Sequence, residues 1–211
     1  MEFRDVVRKR RMVHRFDSRP VPQDLLLRVL EVARHAPSAG FSQGFDFLVM
    51  DTASQLDHFW NVTEHPKFPY EPDELLARPP CIVLAIANRP AYLERYSRPD
   101  KELFGLQEAS AWPVPYWDVD TGMAVMLVLL AAVEAGLGAW FFGLSWGEQK
   151  LMQDLGVPDG CRPIGAIGLG YAVADPKPRG SAYSLRRRPV ESMVHFGRWA
   201  PEGTREPDAG P

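Results

Sequence analysis

Residues 120–143 run DTGMAVMLVLLAAVEAGLGAWFFG, a long apolar helical pattern that breaks at glycines and passes into an aromatic strand pattern. The apolar core of this stretch, Met123 to Val133, spans about eleven residues, short of the roughly twenty that a bilayer-crossing helix needs. It therefore reads as a core helix. Asp118 or Asp120 is placed to cap its start, and Gly136 and Gly138 supply the permissive backbone expected at its end. Apolar side chains cover nearly its whole circumference, which predicts a central, fully buried helix. Ala139 to Phe142 follows as a strand.

A fully buried helix needs a sheet to pack on, and three further segments provide one. Cys81 to Ala87 is continuously apolar, bounded by Pro79-Pro80 and Asn88, as expected of a strand covered on both faces. Phe45 to Met50 and Ile164 to Leu169 also read as strands. Helices are predicted over Phe3 to Arg10, from Pro22 through Leu25, Leu26, Val29, Leu30 and Ala33 until Pro37 forbids continuation, after Thr52 with Leu56, Phe59 and Trp60, at Tyr92 to Tyr96, and around Gly147 to Leu155. Ser97 to Tyr116 is a long irregular connection. Strands and helices do not alternate strictly, so the class is α+β. No GxGxxG follows a strand, leaving a Rossmann dinucleotide site unsupported. The pattern describes one domain over residues 1–200 and a mobile tail over 201–211.

The chain has 211 residues, 45% of them hydrophobic, a formal net charge of -3 and a pI near 6.0. That balance provides no global attraction to nucleic acid or an anionic membrane, so any anion must be held by local clusters. Cys81 and Cys161 have neither the number nor the spacing of a disulfide framework or zinc site, and Met1 to Arg11 carries charge where a signal peptide needs an apolar run. A reducing cytoplasm is the expected location. The histidines are dispersed, and no metal is assigned.

Two basic clusters stand out, Arg8 to Arg11 with His14 and Arg15, and Arg186-Arg187-Arg188. Each is either a solvated face or part of a phosphate clamp, for which the planar guanidinium fork is suited. Between them, Pro37 to Gly44 is a loop of small residues through which backbone can approach a ligand. Trp140, Phe141 and Phe142 sit between Gly138 and Gly143, either as core packing or as a flat surface for a planar cofactor. Phe104, Trp112, Tyr116 and Trp117 either roof a pocket or anchor their loop to the core.

Taken in order, Arg10-Arg11-Met12-Val13-His14-Arg15-Phe16, Ala36-Pro37-Ser38-Ala39-Gly40-Phe41-Ser42-Gln43, and Gly138 to Gly143 leading to Arg186–Arg188 resemble the nitroreductase family of FMN enzymes across residues 3–190. The resemblance implies a three-layer α+β fold, a central mixed or antiparallel sheet flanked by helices, and a homodimer that exchanges extended segments around the central helix. Each FMN would be held by both subunits. It assigns Arg10, Arg11 and His14 to the flavin phosphate, with Met12 where serine is common and His14 where lysine or arginine is usual. A histidine there weakens the charge at neutral pH, since it titrates near about 6.5. Pro37, Ser38, Ala39 and Phe41 would meet the flavin from the partner subunit, with Gly44-Phe45 in place of the more typical proline and tryptophan. Trp140, Phe141, Phe142 and Gly143 would lie beside the isoalloxazine ring, with the Phe142 amide as donor to N5. Arg186 and Arg188 would return to the phosphate, and Lys67 or Lys101 would stand at the pyrimidine edge.

The implied activity is hydride transfer from NAD(P)H to FMN and then to a small acceptor, a nitroaromatic or quinone, with ping-pong kinetics and no catalytic side chain. The Pro-Ser-Ala-Gly-Phe-Ser-Gln loop is also similar to that of flavin-cleaving enzymes that make dimethylbenzimidazole. A non-catalytic flavin or deazaflavin carrier is the remaining alternative.

Overall fold

The computed structural model describes residues 1–67, 78–174 and 185–199. Contacts within the chain group it into two compact units, residues 1–174 and 175–211, whereas sequence pattern alone draws a boundary at 200. Residues 201–211, the expected tail, lie outside the described residues.

In the first unit, strands β1 (Phe45–Met50), β2 (Cys81–Asn88), β3 (Gly138–Phe142) and β4 (Cys161–Gly170) form one sheet in the order β1-β2-β4-β3. Every pairing among them is antiparallel. Six α-helices occur among the described residues: α1 (Phe3–Lys9), α2 (Gln23–Glu31), α3 (Ala53–Thr63), α4 (Arg89–Tyr96), α5 (Tyr116–Glu134) and α6 (Glu148–Asp154).

The alternation of side chains along β2 organises three layers. Cys81, Val83 and Ala85 face a core shared with Leu26 and Val29 of α2 and Ala124, Val128 and Ala132 of α5. Ile82, Leu84 and Ile86 face the opposite core with Phe59 and Trp60 of α3 and Leu151 of α6. Both faces are covered, which is why an uninterrupted apolar run serves as a strand here. Each such side chain contributes roughly 1.5–3 kcal/mol by leaving water. α3 begins with a capping box in which Thr52 and Gln55 satisfy each other's backbone donors.

Two expectations for α5 need correction. The helix starts at Tyr116 behind Pro115, so Asp118 and Asp120 lie inside it and neither is its cap. Asp118 sits in the first turn, where the helix dipole favours an anion, and receives Arg162 at 2.5 Å. The helix is also not fully buried. Thr121, Ala124, Val128 and Ala132 face the sheet with no exposure, whereas Val119, Met123 and Met126 are exposed, Met126 by 46%. An all-round apolar helix has lost only one side to its own sheet. At 19 residues α5 has the length and apolar composition to cross a membrane, yet much of it is buried against the rest of the fold. α2 also stops earlier than Pro37 requires, passing at Val32–His35 into a tighter 3-10 turn.

In the second unit, residues 185–199 include a short turn at Val190–Ser192, and the Arg188 guanidinium donates to the Ser192 carbonyl at 2.6 Å.

Gly147 joins β3 to α6 at a positive φ of 69°, and a Cβ built there would collide with the Val62 carbonyl at the end of α3. Gly147→Ala should lose about 2–4 kcal/mol, combining left-handed strain with a backbone clash, and lower the chemical-denaturation midpoint without changing its slope.

Candidate functional site

β3 is an edge strand, and its outer side is met by the segment after α1. Met12 bridges Ala139 in parallel, and the Val13 N–H donates to the Ala139 carbonyl at 2.9 Å. The Phe141 N–H, two residues on, donates to the Met12 sulfur at 3.4 Å. Backbone groups on an antiparallel strand alternate sides. Ala139 and Phe141 thus point their polar groups outward, while Trp140 and Phe142 point theirs toward β4. The same parity directs the next outward amide to Gly143, which is exposed. Phe142 therefore does not provide the free amide that its place in the sequence suggests.

The ring side chains obey a second alternation. Phe141 packs toward the α5 core, and Trp140 and Phe142 toward the α3 and α6 core, where Phe142 stacks on Trp60 at 6.0 Å and on Trp140 at 4.2 Å. These aromatics shape the edge from behind. The surface they leave to a ligand is largely backbone.

The basic residues of the first cluster divide in the same manner. Arg11 and Val13 line a cavity of about 520 Å³ together with Arg8, Lys9 and the Gly136–Ala139 segment. His14 instead sets its ring edge against Trp140, with centroids 5.1 Å apart. An extended segment sends neighbouring side chains to opposite sides, so Arg11 and His14 do not converge on one anion. Arg10, Arg11 and Arg8 make no ion pair among the described residues.

The loop from Pro37 to Gly44 leads into β1 and is held from beneath. Its Ala39 N–H donates at 2.8 Å to Oδ2 of Asp120, which is 2% exposed, and the Tyr92 phenol donates to the same oxygen at 2.8 Å. Arg95 donates from Nε to the Gly40 carbonyl at 2.9 Å while its fork grips Asp100 at 2.6 and 2.8 Å. The Gln43 N–H donates to Ser38 Oγ at 2.9 Å. These anchors hold an unusual backbone, since Phe41 and Gln43 adopt φ of 56° and 50°, a region that costs a residue with a side chain about 1 kcal/mol or more. Phe41 is 73% exposed in that conformation. Beside it, Gly40 to Gln43 and Ala91, Glu94, Arg95, Arg98 and Asp100 line a cavity of about 580 Å³.

Burial pushes the Tyr92 phenol well above its ordinary range, and the hydrogen bond to Asp120 adds to this, so Tyr92 stays a donor. Burial, with Asp51 nearby, pushes the Cys81 thiol up to about 12, which leaves no thiolate for chemistry. Trp112 and Trp117 are buried and pack with Tyr92 and Tyr96 beneath the loop, so they anchor the irregular connection instead of roofing a pocket. Phe104 and Tyr116 remain exposed. Lys101 lies 5.1 Å from the Phe104 ring and 5.7 Å from that of Tyr96, on the loop side, whereas Lys67 is exposed next to His65.

The chain thus joins the first motif to the third and keeps the second apart. β1, which the Pro37–Gly44 loop feeds, and β3 are the two edges of the sheet, three strand spacings or roughly 14 Å apart. Asp120, Tyr92 and Arg95 support the loop from elements distant in sequence. For Asp120 a signal existed: it is a charge on the same helical face as Ala124 and Val128, which belong to the core.

A family model, the nitroreductase family, matches residues 7–171, and the chain belongs to that family. A protein of Methanothermobacter thermautotrophicus, named as a candidate NADH dehydrogenase/NAD(P)H nitroreductase, is 24% identical over 182 residues, 85% of this chain and 82% of the relative. A relative in Archaeoglobus fulgidus with the same name is 23% identical over 193 residues, 90% of this chain and 94% of its own. Among solved structures, a candidate nitroreductase in complex with FMN from Exiguobacterium sibiricum has a TM-score of 0.70 at 18% identity, covering 93% of this chain and 97% of that one. A nitroreductase family protein from Clostridium difficile has a TM-score of 0.69 at 20% identity, covering 94% and 100%. These likenesses carry the fold.

Arg95→Ala removes one anchor of the loop while leaving Asp120 and Ser38 in place. Amide hydrogen exchange over residues 39–43 should speed up about tenfold, corresponding to one hydrogen bond from a charged donor, with little change in global unfolding. Unchanged exchange would show that the other two anchors suffice.

Proposed function

We propose that the chain is an FMN-dependent oxidoreductase of the cytoplasm that takes hydride from NAD(P)H and reduces a small acceptor, a nitroaromatic or quinone, as a homodimer. One observation carries the reading: the two surfaces able to receive a flavin lie on opposite edges of a single sheet. Between them α5 exposes an apolar stripe. Val119, Met123, Met126, Leu130 and Val133 follow a four-three-four-three spacing, the first three exposed and the last two half-buried, as on a helix that packs against a copy of itself. Pairing along that stripe offers the loop of one subunit to the β3 edge of the other.

The residues present fit FMN. The outward edge of β3 ends in the unencumbered backbone of Gly143, the natural donor toward the ring in place of Phe142. Arg10 follows the same parity as His14 and is the cation of the first motif best placed for the phosphate, with Arg11 turned to the separate cavity. Met12 supplies no hydroxyl to a phosphate, and its sulfur is already engaged by Phe141. Arg186 and Arg188 are proposed as further phosphate ligands on the sequence resemblance. Ala39 brings an anchored backbone and Phe41 a strained one to the flavin, so the loop is ordered before the ligand arrives. When bound, FMN supplies the two-electron chemistry, and the protein's part is binding, orientation and exclusion of water. The 580 Å³ cavity beside Phe41 has room for a small acceptor.

Purified protein supplied with FMN should show bands near about 370 and 450 nm that NAD(P)H bleaches, and parallel lines in double-reciprocal plots. A chain that binds no FMN would overturn the reading, and dimethylbenzimidazole among the products would replace it with flavin cleavage. Met126→Glu should yield monomers by light scattering and lower FMN affinity at least about tenfold, since a charge would be buried at the pairing face. Dimers with full flavin content would remove α5 from the interface.

A further inference from the structure

Asp120 is a carboxylate almost wholly withdrawn from water, yet among the described residues no lysine, arginine or histidine pairs with it. A buried anion without a counter-ion is costly and is retained only where something depends on it. Apolar groups pack about the contact, with Ala124 and Val128 continuing its helical face and the rings of Trp112 and Trp117 packing with Tyr92, and the cation that meets the same loop, Arg95 at Gly40, is paired with Asp100. Two donors converge on a single oxygen, the Ala39 N–H and the Tyr92 phenol, each at 2.8 Å. One belongs to the strained loop and the other to α4. Tyr92 also fills the space in which a Cβ at Gly44 would sit, closing the far end of the same loop.

We infer that Asp120 is a positioning residue with an electrostatic output: it clamps the Pro37–Gly44 loop through Ala39 and holds one negative charge a single amide behind the surface offered to the flavin. This rests on the functional reading above, in which the loop through Ala39 and Phe41 is offered to the flavin. Two-electron reduction of FMN at neutral pH adds net negative charge to that ring. An uncompensated anion behind it, in a medium of low dielectric, opposes reduction and holds the midpoint potential down. The Tyr92 phenol, donating to Asp120, disperses part of that charge and weakens its influence on the ring.

Asp120→Asn and Tyr92→Phe therefore make an informative pair. Asp120→Asn removes the charge and replaces an acceptor with an amide, whereas Tyr92→Phe keeps the ring and deletes the donor. Both should raise the FMN dissociation constant, Asp120→Asn by about tenfold or more, because each weakens the clamp. Their potentials should move in opposite directions in a dithionite titration followed by absorbance against reference dyes, upward in Asp120→Asn and downward in Tyr92→Phe. A loosened loop alone would shift both the same way or neither, and that result overturns the inference. If Asp120→Asn fails to fold, Tyr92→Phe decides, with a fall in potential supporting the role of Asp120 and no change or a rise overturning it. A wild-type protein that binds no FMN defeats the functional reading itself. Wild-type binding with both variants unchanged in affinity and potential defeats only the role given to Asp120.

Discussion

The two-sided burial of β2 is the constraint from which the rest of the molecule follows. Cys81 to Ile86 send alternate side chains into two separate cores, Ala87 joins the aromatic cluster around Tyr92, and no residue of the run except Ile86 keeps measurable exposure. A strand of that kind cannot be left at an edge or exposed on one face. It demands strands on either side, β1 and β4, and a helical layer above and below. α5 covers one face because it is long and apolar, and α3 and α6 meet on the other around Phe59, Trp60 and Leu151.

The sheet leaves both of its edges less regular than its middle. Among the described residues β3 has a neighbouring strand on one side and a short bridge through Met12 on the other, which reaches as far as the Phe141 amide. At the opposite edge, the loop before β1 spends conformational strain at Phe41 and Gln43 and is restrained by Asp120, Arg95 and Ser38. The two surfaces lie on opposite edges of one sheet. Between the two edges α5 has buried one side on its own sheet and keeps Val119, Met123 and Met126 exposed on the other.

Much of this was legible in residue order. The strand at Phe45–Met50 needs only its apolar run and flanking loop signals, and the run at Cys81 announces burial on both faces. The three ordered motifs identify the family, although each is weak alone. Legibility failed where the answer depends on which way a group points. Arg10, Arg11 and His14 look like one cluster, and the extended backbone parts Arg11 from His14. Phe142 looks like the donor, yet the parity of β3 turns its amide toward β4 and the next outward amide is that of Gly143. Trp112 and Trp117 resemble a lid but are buried anchors, because their rings complete an aromatic cluster around Tyr92 and Tyr96 that the sequence separates by many residues.

Local pattern by itself determined the elements, the α+β class and the motifs, since helix and strand periodicity, glycine and proline punctuation and side-chain size act over a few neighbouring residues. Tertiary structure alone decided that Asp120 turns inward to Ala39 and Tyr92, that α5 keeps one face bare, and that the motifs divide between opposite sheet edges. Those outcomes depend on strand order and register, which bring together residues as far apart as Ala39 and Asp120. No short-range propensity encodes such a meeting, because it is fixed by the packing of layers whose contacts exist only once the whole sheet has formed.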